Sequence, residues 1–225
     1  MKKYFEILRR CALFNDIEDK DLNPILGCIG ATVRTYGKAE TIISEGEPAK
    51  MIGIVLSGTV QMIRIDFYGN KSIVATINPA QLFGETFACA EALETPVDII
   101  ATETTEVMLI DIKRIIKSCN HACAFHSRMI FNLLKAVADK NLVFNQKIEI
   151  ISKRTTREKL MTYLLLQAKS TGNNRFTIPY DRQGLADYLE VERSGLSAEI
   201  GKLKKEKILD CHRSQFTILK QLPDY

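Results

Sequence analysis

The sequence of 225 residues has no apolar run long enough to cross a bilayer as a helix. Met1 to Arg10 carries basic residues with no apolar stretch behind it, so no secretory signal is read there and the expected location is the cytoplasm. Histidine is scarce, with only His121, His126 and His212. No Ser-His-Asp order, phosphate-binding glycine loop or HExxH accompanies them, so the sequence offers no enzyme chemistry. Low-complexity linkers and internal repeats are also missing. With no export signal, the six cysteines (Cys11, Cys28, Cys89, Cys119, Cys123 and Cys211) read as free thiols.

The chain has an ordinary globular balance, 46% hydrophobic and 26% charged. Its net charge of +4 is unevenly placed. From Ser152 onward there are 14 Lys and Arg against 9 Asp and Glu, while the first 151 residues hold 17 against 18. A near-neutral first part followed by a basic last third suits a sensor joined to a polyanion-binding module; a solvated basic surface is the plainer alternative.

The texture changes along the chain. Tyr4 to Ile29 reads as helical. From Ala31 to Ile112, short β-rich runs (32–36, 52–56, 60–65, 72–77, 97–102 and 107–110) alternate with breakers such as Gly37, Gly58, Gly69-Asn70 and Pro79. That pattern predicts an all-β barrel or roll. A long helix over about 125–151 follows. Ile130, Leu134, Val137, Asn141, Phe144, Ile148 and Ile151 recur in steps of four and three, a heptad seam whose single polar member, Asn141, fits a two-stranded register. The expectation is a parallel homodimer helix; the alternative is packing on its own domain. The predicted domains are thus 1–151, a sensing roll with its dimerisation helix, and 152–225.

In the second domain, Asp181 is placed to cap a short helix, Arg182 to Leu189. After a turn near Glu190-Val191 a second helix runs from about Glu192 to Lys205, with Leu196, Ile200 and Leu203 on one face and Arg193, Ser194, Ser197, Gly201 and Lys204 on the other. A short turn between two such helices fits a helix-turn-helix, the second helix entering the major groove. Arg193 is the candidate for a bidentate contact to a guanine edge, while Ser194 and Ser197 are short enough for close approach. Arg182, Gln183 and Lys204 are the candidates nearer phosphate. Residues 208–211 and 215–218 flank His212-Arg213-Ser214 as a hairpin wing with Arg213 at its tip.

These parts together resemble the CRP/FNR family of bacterial regulators over nearly the whole length. The residues that carry the likeness are Tyr36-Gly37, Ile42 to Gly46, Leu56-Ser57-Gly58, Leu82-Phe83-Gly84-Glu85, Thr155 to Leu160, Asp181-Arg182-Gln183 and Leu185 to Leu189. The resemblance implies an α+β chain: an N-terminal β-roll (a double-stranded, jelly-roll-like β-helix), a long dimerisation helix and a C-terminal winged helix-turn-helix. It also implies double-stranded DNA, a second copy, RNA polymerase and a small-molecule effector as partners, with no membrane.

Two departures from the family pattern matter. Cyclic-AMP-binding members follow Gly-Glu with an Arg-Ser pair that grips the phosphate; the aligned pair here is Thr95-Pro96, and the helix positions facing adenine are Leu142 and Val143. Without the arginine an anionic phosphate lacks its charge-assisted partner, so cyclic AMP is not the expected ligand. Gly84, Glu85, Thr86, Thr95 and Leu142 remain the candidate effector residues, with a purely structural role for Gly84 and Glu85 as the alternative. The second departure is Ser197-Ala198, where many relatives have Ser-Arg; a different target or a weakened DNA module follows. The cofactor is unknown. An iron–sulfur cluster needs four thiolates, and only Cys11 and Cys28 lie near the N-terminus. Cys119, Cys123 and His126 share a face if helical, which makes a metal-, haem- or redox-responsive regulator the alternative reading, set against buried structural residues.

Overall fold

In the computed structural model, which describes residues 2–116 and 124–220, the first strand-rich stretch is closed into a roll. The chain starts with a 3-10 turn, Lys2–Tyr4, then α1 (Phe5–Arg9), a second 3-10 turn at Ala12–Phe14 and α2 (Asp19–Cys28). The single helix expected over Tyr4 to Ile29 is broken. Cys11 turns extended and Asp16 takes a positive φ of 58°, which no helix continues through.

Eight strands follow: β1 (Thr32–Tyr36), β2 (Thr41–Ile43), β3 (Met51–Ser57), β4 (Val60–Ile65), β5 (Lys71–Ile77), β6 (Leu82–Phe83), then after α3 (Glu85–Cys89), β7 (Asp98–Ala101) and β8 (Thr105–Asp111). They form two antiparallel four-stranded sheets, ordered β1-β8-β3-β6 and β2-β7-β4-β5. The expected strands are all present. β2 and β6 were not foreseen, because two or three residues carry no readable alternation.

The run Ile52-Gly53-Ile54-Val55-Leu56 is apolar on both faces because β3 is covered on both. Val55, Val107 and Leu109 point into the roll with Val60, Met62, Phe83 and Ile99. Ile52, Ile54, Met108 and Ile110 point outward, onto Leu8, Leu13, Phe14, Leu22, Ile25 and Leu26.

After α4 (Ile112–Ile116), the long helix α5 (Ala124–Ile151) is one unbroken element of 28 residues, about 42 Å at 1.5 Å per residue. Its first half docks on the outward face of the roll through Met129, Leu133 and Ala136. Buried Asn132 fixes the register by donating to Leu13 O (3.1 Å) and Asn15 O (2.8 Å). The compact units divide at Asn141/Leu142, ten residues before the predicted boundary. The cause is that Lys147 and Ile150 are buried in the second unit.

That second unit continues with α6 (Thr156–Thr171), β9 (Arg175–Thr177), α7 (Arg182–Leu189), α8 (Arg193–Lys205), β10 (Leu209–His212) and β11 (Gln215–Ile218). Thr155 and Glu158 make a reciprocal capping box at the start of α6. Arg157 then clamps α6 to the end of α8, reaching Glu206 at 2.5 Å and Glu199 at 3.4 Å. The strands form a three-stranded antiparallel sheet, β10-β11-β9.

Candidate nucleic-acid interface and effector cleft

The helix-turn-helix is built by local rules. Asp181 accepts from Gly184 N at 2.7 Å and so caps α7. Leu185, Ala186 and Leu189 bury, and Glu190 closes the helix in the left-handed region at φ 52°. α8 starts three residues later and buries Leu196, Ile200 and Leu203. Three buried positions spaced by three and four commit one face inward, leaving Arg193, Ser194, Gly195, Ser197 and Ala198 exposed near its N-terminus.

The remaining predicted contacts divide. Arg193 has a free guanidinium, and Arg213 stands exposed in the two-residue turn between β10 and β11 at φ 53°. Gln183 is exposed but donates to Asp187 at 2.7 Å. Arg182 is half-buried, over the Phe216 ring and 3.9 Å from Cys211 Sγ. Lys204, expected at phosphate, is tied to the wing by Asp210 (2.9 Å) and Cys211 O (3.0 Å). Its ammonium holds the base of the hairpin against α8. Of the predicted contacts, the cations without a partner among the described residues are Arg193 at the start of α8 and Arg213 at the wing tip.

Behind α7 lies an aromatic cluster. Tyr180 and Tyr188 stack at 4.9 Å, with Tyr163 5.2 Å from Tyr188. The Lys147 ammonium sits 3.8 Å over the Tyr188 ring and donates to Tyr188 O, one of the carbonyls that α7 leaves open at its C-terminus. Burial pushes Lys147 down to about 8, against the pull of Glu190 and helped by repulsion from Lys159.

In the first unit, Gly84 takes φ 78° as the N-cap of α3, and a Cβ there would lie 3.0 Å from Met51 O, so glycine is required. The carboxylate of Glu85 is wholly buried. Lys140 of α5 answers it at 2.6 Å and also donates to Leu82 O. Thr95 is buried as well, its hydroxyl donating to Glu47 O at 2.9 Å. Thr86 is half-buried and Leu142 exposed.

A cleft of about 260 Å³ opens at one end of the roll. Gly84 and Thr95 line it; Glu85, Thr86 and Leu142 do not. Its floor is apolar (Ile43, Met51, Phe87, Leu109), and Arg34 and Lys50 stand exposed at its mouth. The five candidate effector residues are thus not one site: Glu85 is claimed by Lys140 and Thr95 by Glu47.

Of the proposed metal or redox set, Cys119 and Cys123 lie outside the described residues. His126 is buried, and its neighbour is Cys28, with Sγ 3.9 Å from Nε2. No sequence spacing pairs residues 98 positions apart. Among the described residues no group of three or more His, Cys, Asp or Glu is placed to hold a metal.

A winged helix-turn-helix following a β-roll and a long helix defines a DNA-binding transcription regulator with a sensor domain. Comparison with known proteins gives the family. Residues 33–121 match the cyclic nucleotide-binding domain, and residues 158–221 the Crp-like helix-turn-helix domain. The chain is 21% identical to the global nitrogen regulator of Nostoc sp. over 209 residues, 86% of this chain and 88% of that one. It is 20% identical to the transcriptional activator protein FnrL of Cereibacter sphaeroides, over 78% of this chain and 71% of that one. The c-di-GMP-responsive global regulator CLP of Xanthomonas campestris shares the fold at a TM-score of 0.72 and 14% identity, over 91% of this chain and 100% of that one. The chain belongs to the CRP/FNR family of transcription regulators. These relatives are regulators, not enzymes. No helix of the described residues is long and apolar enough to cross a membrane.

Proposed function

We propose that this protein is a homodimeric, sequence-specific DNA-binding regulator answering to a small organic effector other than cyclic AMP. The observation that carries the DNA reading is the N-terminal half of α8. Its exposed Arg193, Ser194 and Ser197 are backed by a fully committed apolar face and flanked by Arg213 on the wing. The homodimer is supported by an uncovered apolar stripe along α5. Ile130, Leu134 and Ile148 are exposed, Val137 and Phe144 half-exposed, and Asn141 sits among them.

Independence from cyclic AMP rests on the phosphate end of the roll. Pro96 has no N–H to give, the Thr95 hydroxyl is occupied, and Glu85 is neutralised by Lys140. The cleft favours a compact apolar ligand with an anionic end for Arg34 and Lys50, below the roughly 300 Å³ of a drug-sized pocket.

Selection from a random DNA pool tests the first claim. A palindromic motif whose affinity falls steeply with salt is expected; recovery of no motif favours a regulator acting through protein contacts. Calorimetry with cyclic AMP is expected to give no heat of binding at micromolar ligand.

A further inference from the structure

The contact between Cys28 and His126 has no part in reading DNA or lining the cleft. Cys28 closes α2 and is exposed, whereas His126 lies in the first turns of α5 and is 5% exposed. Sγ and Nε2 are 3.9 Å apart, and His126 Nδ1 is buried with no hydrogen-bond partner among the described residues.

An imidazole held in this way leaves a buried nitrogen unmet, at a cost of about 1–3 kcal/mol. A leucine would fill the same space without that cost. The ring's proton chemistry is used in one direction only, toward a thiol that solvent reaches. From this geometry we propose that Cys28 is a peroxide-reactive thiol activated by His126, and so an oxidative modification site in the N-terminal unit.

The step balances as follows. The thiol proton passes to His126 Nε2 as Cys28 Sγ bonds to one oxygen of hydrogen peroxide. The O–O bond breaks, and the departing hydroxide takes the proton back and leaves as water. Sulfur is oxidised to the sulfenic acid and peroxide is reduced. His126 acts as base through its Nε2, since a thiolate is the nucleophile.

Two of the other described thiols provide references. Cys11 is buried, and burial pushes it up to about 12, so it stays inert. Cys89 is exposed, but partial burial and the nearby Glu85 charge push it upward.

The test is dimedone trapping on the reduced full-length chain under hydrogen peroxide, read peptide by peptide by mass spectrometry. Cys28 is expected to label at least about threefold faster than Cys89. His126→Gln removes that advantage and leaves the Cys89 rate unchanged, which also reports that the roll is intact. In His126→Gly, added imidazole restores Cys28 labelling, while pyrazole, of the same size but a far weaker base, does not. Cys28 labelling no faster than Cys89, a Cys28 rate indifferent to His126→Gln, or equal rescue by pyrazole each overturns the proposal. If His126→Gln disturbs folding, the parent chain decides: a Cys28 rate no faster than that of Cys89 refutes the assignment.

Discussion

Replacing Lys140 by methionine removes the ammonium that answers Glu85. The Glu85 side chain has no exposure, and the Lys140 ammonium lies 2.6 Å from its Oε1 with a quarter of the lysine side chain open to water. Truncating one partner of a buried ion pair leaves an uncompensated charge and typically costs about 3–5 kcal/mol. The partial exposure of Lys140 puts the expected loss near the lower end, about 3 kcal/mol. Glu85→Gln should cost less than half as much, because the freed ammonium reaches solvent while a buried carboxylate does not. In the double variant Lys140→Met/Glu85→Gln no charge is left buried, so its loss should fall below the sum of the singles by about 1–3 kcal/mol. Urea melts of the four full-length proteins, followed by circular dichroism in the far ultraviolet, measure all three numbers. A Lys140→Met loss under about 1 kcal/mol, or singles that add within about 0.5 kcal/mol, would show that the pair does not hold α5 to the roll.

Four further outcomes are expected. Arg193→Ala should cost about 1–3 kcal/mol on the selected DNA and relax preference at one base pair, whereas Arg213→Ala should weaken all sequences evenly and lower the salt slope by about one, both read by fluorescence anisotropy. Gly201→Ala should stabilise α8 by about 1 kcal/mol in thermal melts, since a Cβ there meets nothing within 4 Å. Lys147 ionises near 8 in the folded chain against a usual value of 10.5, so between these values the unfolded chain binds more protons and stability rises with pH, by up to roughly 3 kcal/mol. Melts from pH 7.5 to 9.5 should show that rise in the parent and not in Lys147→Met; Cys11 above pH 9, and Tyr163 and Tyr188 above pH 10, all pushed up by burial, pull the other way. Lysine at Val137 and Phe144 should give monomers by sedimentation, and a dimer surviving both would remove α5 as the interface.

What the sequence carried is what local chemistry encodes. Leu196, Ile200 and Leu203 announced α8 because a helix must bury residues three and four apart, and no tertiary contact overrode them. The runs at 52–56, 60–65 and 72–77 announced strands because alternation and breakers agreed. The bounds of α7 match the expectation because Asp181 is a strong cap. The expected N-terminal helix failed for the opposite reason. Composition from Tyr4 to Ile29 is helical on average, yet Leu13 is buried along with Leu8, Cys11 and Phe14, and a continuous helix would turn Leu13 to the opposite face.

The site chemistry was less legible because it is non-local. Glu85 was assigned toward a ligand from a motif, and its partner stands 55 residues later on a helix whose pattern spoke only of dimerisation. Lys204 was assigned to phosphate by its face, and Asp210 takes it through a strand whose register no spacing specifies. His126 was grouped with near neighbours in sequence, and its observed partner, Cys28, comes from α2. In each case the fold, rather than the residue type, decides what the side chain faces. The same logic holds at the Gly84-Glu85 turn. Gly84 is retained because its backbone cannot be made otherwise, while the groups beside it are turned inward to Lys140 and Glu47. What is kept there is what the roll needs in order to close.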